Sequence, residues 1–165
     1  EALYWPCPSE DHPGTPRLFA ESFPTPNGRA TMLAVRPVGP ADALRAEAPV
    51  WLVTGRVLQH YQSGAQTRRV TKLNDSMPRA YVEIHPMLAD RIGVEGIDDI
   101  TITSKRGSMV AQARISPDIR PDTVFVPFHF ADEGMVNAVT NSATDPVSGM
   151  PEFKVCAVQI RRAES

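Results

Sequence analysis

Prolines divide this chain before any other feature does. Sixteen occur in 165 residues, and nine of them fall within the first 49. Each removes a backbone donor and is excluded from helix interiors, so residues 1–49 are expected to form an extended arm with short strands. Within it, "RLFAESFPTPNGRATMLAV" has a hairpin pattern. Its Asn27-Gly28 pair suits a type I′ turn, which requires positive φ at both central residues. An arm of this kind buries little surface alone and is expected to lie against a barrel or another domain.

Residues 50–165 read differently. Val50 to Thr54 is an apolar strand, and "RAYVEIHPMLADRIGV" gives a strand over Ala80 to Ile84 and a helix from His85 to Ile92, closed by Gly93. "DDITITSKRGSMVAQARIS" alternates apolar and polar residues on both sides of Lys105-Arg106-Gly107, which predicts a hairpin. "DTVFVPFHF" is a further strand ending in aromatics. "ADEGMVNAVT" predicts a short helix with acidic residues in its first turn, and "FKVCAVQI" the last strand. Many short strands with few short helices point to a mainly β fold, a small closed barrel.

Composition excludes several classes of function. Seventeen Lys+Arg against nineteen Asp+Glu leave a net charge of -2, too little positive surface for a general nucleic-acid binder. No stretch reaches the roughly 18 apolar residues needed to span a bilayer, so no membrane insertion is expected. The opening "EALYWPCPSED" has neither the basic start nor the apolar centre of a signal peptide, and a cytoplasmic location is expected. Cys7 and Cys156 lack metal-type spacing and read as free thiols.

The densest chemistry follows the first barrel strand. "TGRVLQHYQSGAQTRR", Thr54 to Arg69, gathers three arginines, a histidine, a tyrosine and two glycines. Gly55 permits close backbone approach, and Arg56 can make paired charge-assisted bonds to phosphate. His60 and Tyr61 can stack on or hydrogen-bond a heteroaromatic ring, with Ser63, Gly64, Thr67 and Arg68 completing a pocket. The spacing is neither a P-loop nor a dinucleotide fingerprint. On chemistry alone a nucleotide cradle and an ordinary solvated loop remain equal alternatives.

Five blocks then carry a resemblance: "WPCPSEDHPGTPRLF", "LVTGRVLQHYQSGAQTRR", "AYVEIHPMLADRIGV", "IRPDTVFVPFHF" and "VNAVTNSATDPVSGMPEFKVCAV". In this order, over nearly the whole chain, they resemble the C-terminal region of molybdopterin oxidoreductases. Assimilatory nitrate reductase catalytic subunits are nearest and formate dehydrogenase alpha subunits next. The resemblance implies a six-stranded double-psi β-barrel of the aspartate-decarboxylase-like type. It implies a share in holding bis-molybdopterin guanine dinucleotide with molybdenum. The rest of the polypeptide would supply the metal ligand, a 4Fe-4S cluster and the N-terminal domains on which the arm packs. An electron-donor subunit or domain would be the further partner, nitrate reduction to nitrite the reaction, and the isolated chain inactive.

Carried over residue by residue, the family's cofactor loop falls on Thr54, Gly55, Arg56, Val57, Leu58, Gln59, His60, Tyr61, Gln62 and Ser63, with Arg68 reaching the ligand. A later asparagine falls on Asn137 and a lysine on Lys154. His129, between two phenylalanines, falls near the substrate funnel. No residue of this chain is expected to act as general acid or base, and none to bind a metal. Two rival readings are the same domain of a formate dehydrogenase, and a free-standing double-psi barrel that binds nucleotides or acts as an interaction module.

Overall fold

The computed structural model describes residues 4–131 and 134–164. Six strands form a closed barrel: β1 (Val50–Gly55), β2 (Tyr81–Ile84), β3 (Asp99–Ser104), β4 (Gly107–Ile115), β5 (Thr123–Pro127) and β6 (Val155–Arg162). Going round the barrel the order is β1-β5-β2-β4-β3-β6, and β6 returns to β1. Closure leaves no free sheet edge, which lets strands of only four to nine residues persist. β1 pairs with β5 and β2 with β4 in parallel; the other pairs are antiparallel. This is the six-stranded double-psi β-barrel that the resemblance implied.

Alternation of facing decides which side chains of β1, β2, β3 and most of β4 enter the core, while β5 is buried on both faces. Leu52, Val82, Ile84, Ile100, Ile102 and Val126 are wholly enclosed. β1 and β2 are not neighbours but both flank β5, and the connection between them holds a 3₁₀ turn (Thr67–Arg69) and helix α1 (Thr71–Ser76). The predicted helix after β2 is α2 (Pro86–Ile92). His85 caps it by accepting from Met87 N–H at 3.1 Å, and Gly93 ends it at φ 67°.

Two expectations are corrected. Residues 17–35 hold no strand, and of the Asn27-Gly28 pair only Gly28 has positive φ. The turn is closed instead by Gly28 N–H donating to Thr25 O at 3.0 Å, with Pro26 inside it. Pro24 and Pro26 remove donors that a hairpin ladder would use. The helix expected over "ADEGMVNAVT" is only a 3₁₀ turn, Val136–Ala138, and its acidic first turn (Asp132, Glu133) lies outside the described residues. A Cβ on Gly107 would sit 2.8 Å from Ala138 O, so the β4 backbone packs against this segment and leaves it little room to widen into an α-helix.

The chain forms two compact units, Glu1–Val38 and Gly39–Ser165. In the first, Phe19 and Phe23 stack at 5.4 Å, while Met32, Leu33, Val35 and Val38 stand exposed on an extended segment. The second begins at Gly39 rather than at Val50. Asp42 and Ala48 are buried in it, and Ala41 N–H donates to Glu152 Oε1 at 2.7 Å.

Candidate functional site

Strand direction brings three segments to one end of the barrel. Gly55 lies opposite Pro127 in the parallel β1–β5 pair, so residues 56–69 and 128–130 leave side by side. Val155 of antiparallel β6 lies opposite Val53, which sets Lys154 at the same rim. Buried Thr54 fastens the corner, its N–H donating to Lys154 O at 3.1 Å and its hydroxyl to Phe153 O at 3.0 Å. A Cβ on Gly55 would meet the Phe125 ring at 2.5 Å, so the strand end accepts only glycine as the neighbours stand.

Phe128 is the platform of this rim. The Arg56 guanidinium lies 5.8 Å from its ring centroid, and Lys154 Nζ lies 4.6 Å from it and 4.9 Å from that of Phe153. Ring quadrupoles attract both cations. Neither belongs to any of the four ion pairs among the described residues, and Arg56 donates only to Gln62 Oε1, at 3.2 Å. Partial burial and then the charge of Arg56 hold the Lys154 ammonium below the usual lysine range. Two cations on one ring without a carboxylate form a site whose repulsion an anion would relieve.

Beside them opens a cavity of about 330 Å³, walled by Ser63, Phe128, Asn137, Thr140, Asn141 and Phe153 among others. Asn137 is exposed on its 3₁₀ turn and faces this space. Arg68 stands further round, 5.6 Å from the Phe130 centroid, and its buried Nε has no partner. It edges a second opening, about 570 Å³, with Ser63, Gly64 and Arg69. A Cβ on Gly64, at φ 74°, would lie 2.6 Å from His129 O.

The remaining loop residues divide by what they touch. Leu58 and Tyr61 are exposed, Gln59 is half-buried, and Val57 donates its N–H to His129 Nε2 at 2.9 Å. His60 is buried, with Nε2 donating to Met77 O at 2.7 Å and Nδ1 accepting from the Thr67 hydroxyl at 3.1 Å. His129 is fully enclosed, its Nδ1 donating to Gln62 O. Neither ring has a nitrogen left for a ligand. His129, expected near a funnel, has no exposed surface in this unit.

Asn141, Phe128 and Phe153 were not singled out by sequence reasoning. Buried Asn141 donates to Glu152 O at 2.6 Å and Val155 O at 3.2 Å while accepting from Ala143 N–H at 2.9 Å, so it ties the 142–151 loop to β6. The one available signal was the aromatic beside a cation in Phe153-Lys154. Asp42 and Arg106 were also missed. Arg106 grips Asp42 through two bonds, at 2.6 and 3.2 Å, and donates to Val139 O at 3.0 and 3.1 Å; Asp42 also accepts from Ala157 N–H at 3.2 Å. This clamp holds the end of the Asn137 turn against β6.

Residues 50–157 match the family described as "Molydopterin dinucleotide binding domain". The chain belongs to that family. It is 44% identical over 160 residues to the assimilatory nitrate reductase catalytic subunit of Bacillus subtilis, covering 96% of this chain and 22% of the relative. It is 38% identical over 162 residues to F420-dependent formate dehydrogenase 1 subunit alpha of Methanococcus maripaludis, covering 98% and 24%. The periplasmic nitrate reductase of Desulfovibrio desulfuricans is 36% identical over 176 residues, with 98% and 23% covered. The chain thus spans less than a quarter of the length of these relatives. Acetylene hydratase from Pelobacter acetylenicus shares the fold at TM-score 0.61 and 17% identity, over 71% of this chain and 19% of that one.

The rim fits a dinucleotide chemically. Arg56 and Lys154 match a diphosphate, glycines at 55 and 64 let the loop pack closely on Phe125 and His129, and Arg68 Nε is a donor in need of an acceptor. Among the described residues no three His, Cys, Asp or Glu cluster to hold a metal ion, and no helix is long and apolar enough to cross a membrane.

Proposed function

We propose that this chain is the cofactor-holding barrel of a larger molybdenum oxidoreductase, and that Arg56 and Lys154 receive the diphosphate of a molybdopterin guanine dinucleotide. The carrying observation is the pair of cations on Phe128 with no carboxylate partner, beside a cavity edged by Ser63 and Asn137. The bound group supplies oxygen-atom transfer and two-electron redox through its molybdenum. This chain's residues bind and orient. Arg56 and Lys154 neutralise charge, Gly55 and Gly64 let the loop sit tightly on Phe125 and His129, and Ser63, Asn137 and Arg68 donate to polar edges. Exposed Leu58 and Tyr61 and half-buried Gln59 meet the ligand or the rest of the polypeptide. His60 and His129, with all ring nitrogens used internally, move no proton.

The metal ligand, the 4Fe-4S cluster and the second pterin's other contacts belong, in this reading, to the remaining three quarters of the polypeptide. The exposed Met32, Leu33, Val35 and Val38 support packing of the Glu1–Val38 unit on that remainder. Nitrate is the proposed substrate, supported by the 44% identity to the Bacillus subtilis subunit, and an electron-donor subunit or domain completes the proposal. Formate oxidation is the second reading, supported by the 38% identity to the Methanococcus maripaludis subunit. Purified full-length protein assayed for molybdenum, for GMP released by acid hydrolysis, and for nitrate and formate turnover tests both. Molybdenum with two GMP per chain and nitrate turnover is the expected result; absence of bound metal and nucleotide would remove the proposal.

A further inference from the structure

We infer that His129 is a positioning residue for the cofactor loop, an uncharged two-ended brace that sets where Arg56 stands over Phe128. The inference rests on the reading of that loop as the dinucleotide cradle. Its structural part stands independently of any ligand. Within the run Phe128-His129-Phe130 the two phenylalanines lie under cations, Phe128 under Arg56 and Lys154 and Phe130 under Arg68. The histidine between them is fully buried.

Its two nitrogens reach opposite ends of one loop turn. Nε2 accepts from Val57 N–H, the residue after Arg56, and Nδ1–H donates to Gln62 O. Gln62 in turn carries φ 49°, a left-handed conformation uncommon outside glycine, and its side chain accepts from Arg56. The brace therefore holds both the backbone beside Arg56 and the strained residue that orients its guanidinium. An amide donor at one end and a carbonyl acceptor at the other fix one neutral tautomer, with the proton on Nδ1.

Protonation would place a second N–H donor against Val57 N–H, and a backbone amide cannot reverse its polarity. His60, whose ring lies 5.8 Å away, differs in this respect: its Nδ1 faces the Thr67 hydroxyl, which can rotate from donor to acceptor. The charged groups near His129 are Arg56 and His60 on the same loop, Arg68 over Phe130, and Lys154 of the β6 entry over Phe128. No carboxylate among the described residues pairs with any of these. Burial chiefly, then His60 and Arg56, hold His129 below the ordinary histidine value, against the opposing pull of the Gln62 carbonyl. Its folded-state value is thus below its unfolded one, so stability falls as pH drops below the unfolded value.

Two variants of the full-length protein separate the brace from simple packing. His129→Phe keeps an aromatic ring and loses both bonds. His129→Gln offers one acceptor and one donor on a single uncharged carboxamide. Amide exchange read at peptides containing Val57, corrected for intrinsic rates, is followed from pH 8 down to the lowest pH at which the barrel stays folded, with molybdenum content on the same preparations. In wild type, Val57 protection falls by at least about tenfold as pH drops through the folded-state titration of His129, which lies below the ordinary histidine value, as loss of a buried hydrogen bond implies. His129→Phe shows the lowered protection across that range and reduced molybdenum, while His129→Gln restores both and removes the pH dependence. Peptides of β1 and β5 report whether the barrel itself stays folded. Wild-type protection at Val57 in His129→Phe would overturn the inference. If His129→Phe fails to fold, an equal pH dependence in wild type and His129→Gln would overturn it. Reduced Val57 protection with full molybdenum content would keep the brace and contradict the cofactor reading instead.

Discussion

Replacing Asp42 by alanine removes the centre of a clamp that joins four parts of the barrel unit. Asp42 is 6% exposed and Arg106 18% exposed at its side chain. The substitution deletes a bidentate pair and the acceptor of Ala157 N–H, and leaves a largely buried guanidinium with only Val139 O. Breaking a buried ion pair by removing one partner costs about 3–5 kcal/mol. Arg106 keeps two bonds and some water access, which places Asp42→Ala near about 3 kcal/mol. A domain of this size has about 5–15 kcal/mol of stability in total, so the loss is large yet survivable. Urea unfolding followed by the fluorescence of half-buried Trp51 in β1 measures it, and a midpoint lower by roughly 1–3 M is expected. The Arg106 bond chiefly holds the Asp42 carboxyl below the ordinary aspartate value. Its stabilisation is therefore complete above the unfolded-state pKa and lost as pH falls through the folded one. The wild-type advantage over Asp42→Ala should shrink on acidification within that interval. A loss under about 0.5 kcal/mol at neutral pH, the range of ordinary surface substitutions, would refute the reasoning.

Gly55→Ala should destabilise the barrel by about 1–3 kcal/mol, because its Cβ would overlap the Phe125 ring, and Phe125→Leu should recover part of that loss in the same urea unfolding. The isolated 165-residue chain should show no nitrate or formate turnover even with added cofactor, and measurable turnover would return the free-standing reading to consideration.

Local patterns announced the elements whose own residues make them. An apolar run marked β1, alternation marked β3 and β4, and His85-Pro86 with Gly93 bounded α2 within one residue. Helix α1 gave no such signal: Thr71–Ser76 buries no residue and has no side-chain cap. Asn27-Gly28 misled because turn preference was read without the flanking prolines. Arg56 and Lys154 were singled out through the resemblance, and the structure sets both over the Phe128 ring. The inward roles of His60 and His129 were not, since a histidine's partners decide its role and those of His129 lie 67 and 72 residues away. Asp42 and Arg106, 64 residues apart, were hidden for the same reason, one inside an expected arm and the other inside an expected turn.

Cofactor occupancy of Arg56→Ala, Lys154→Ala and Asn137→Ala in the full-length protein is the most direct measurement of the proposed cradle. Each charge-assisted bond lost should cost about 1.5–3 kcal/mol, and the neutral bond of Asn137 about 0.5–1.5 kcal/mol. Molybdenum and GMP, determined on preparations whose circular dichroism matches wild type, should fall markedly in the Arg56 and Lys154 variants and less in the Asn137 variant. Full occupancy in both Arg56→Ala and Lys154→Ala would show that the cations on Phe128 do not hold the cofactor.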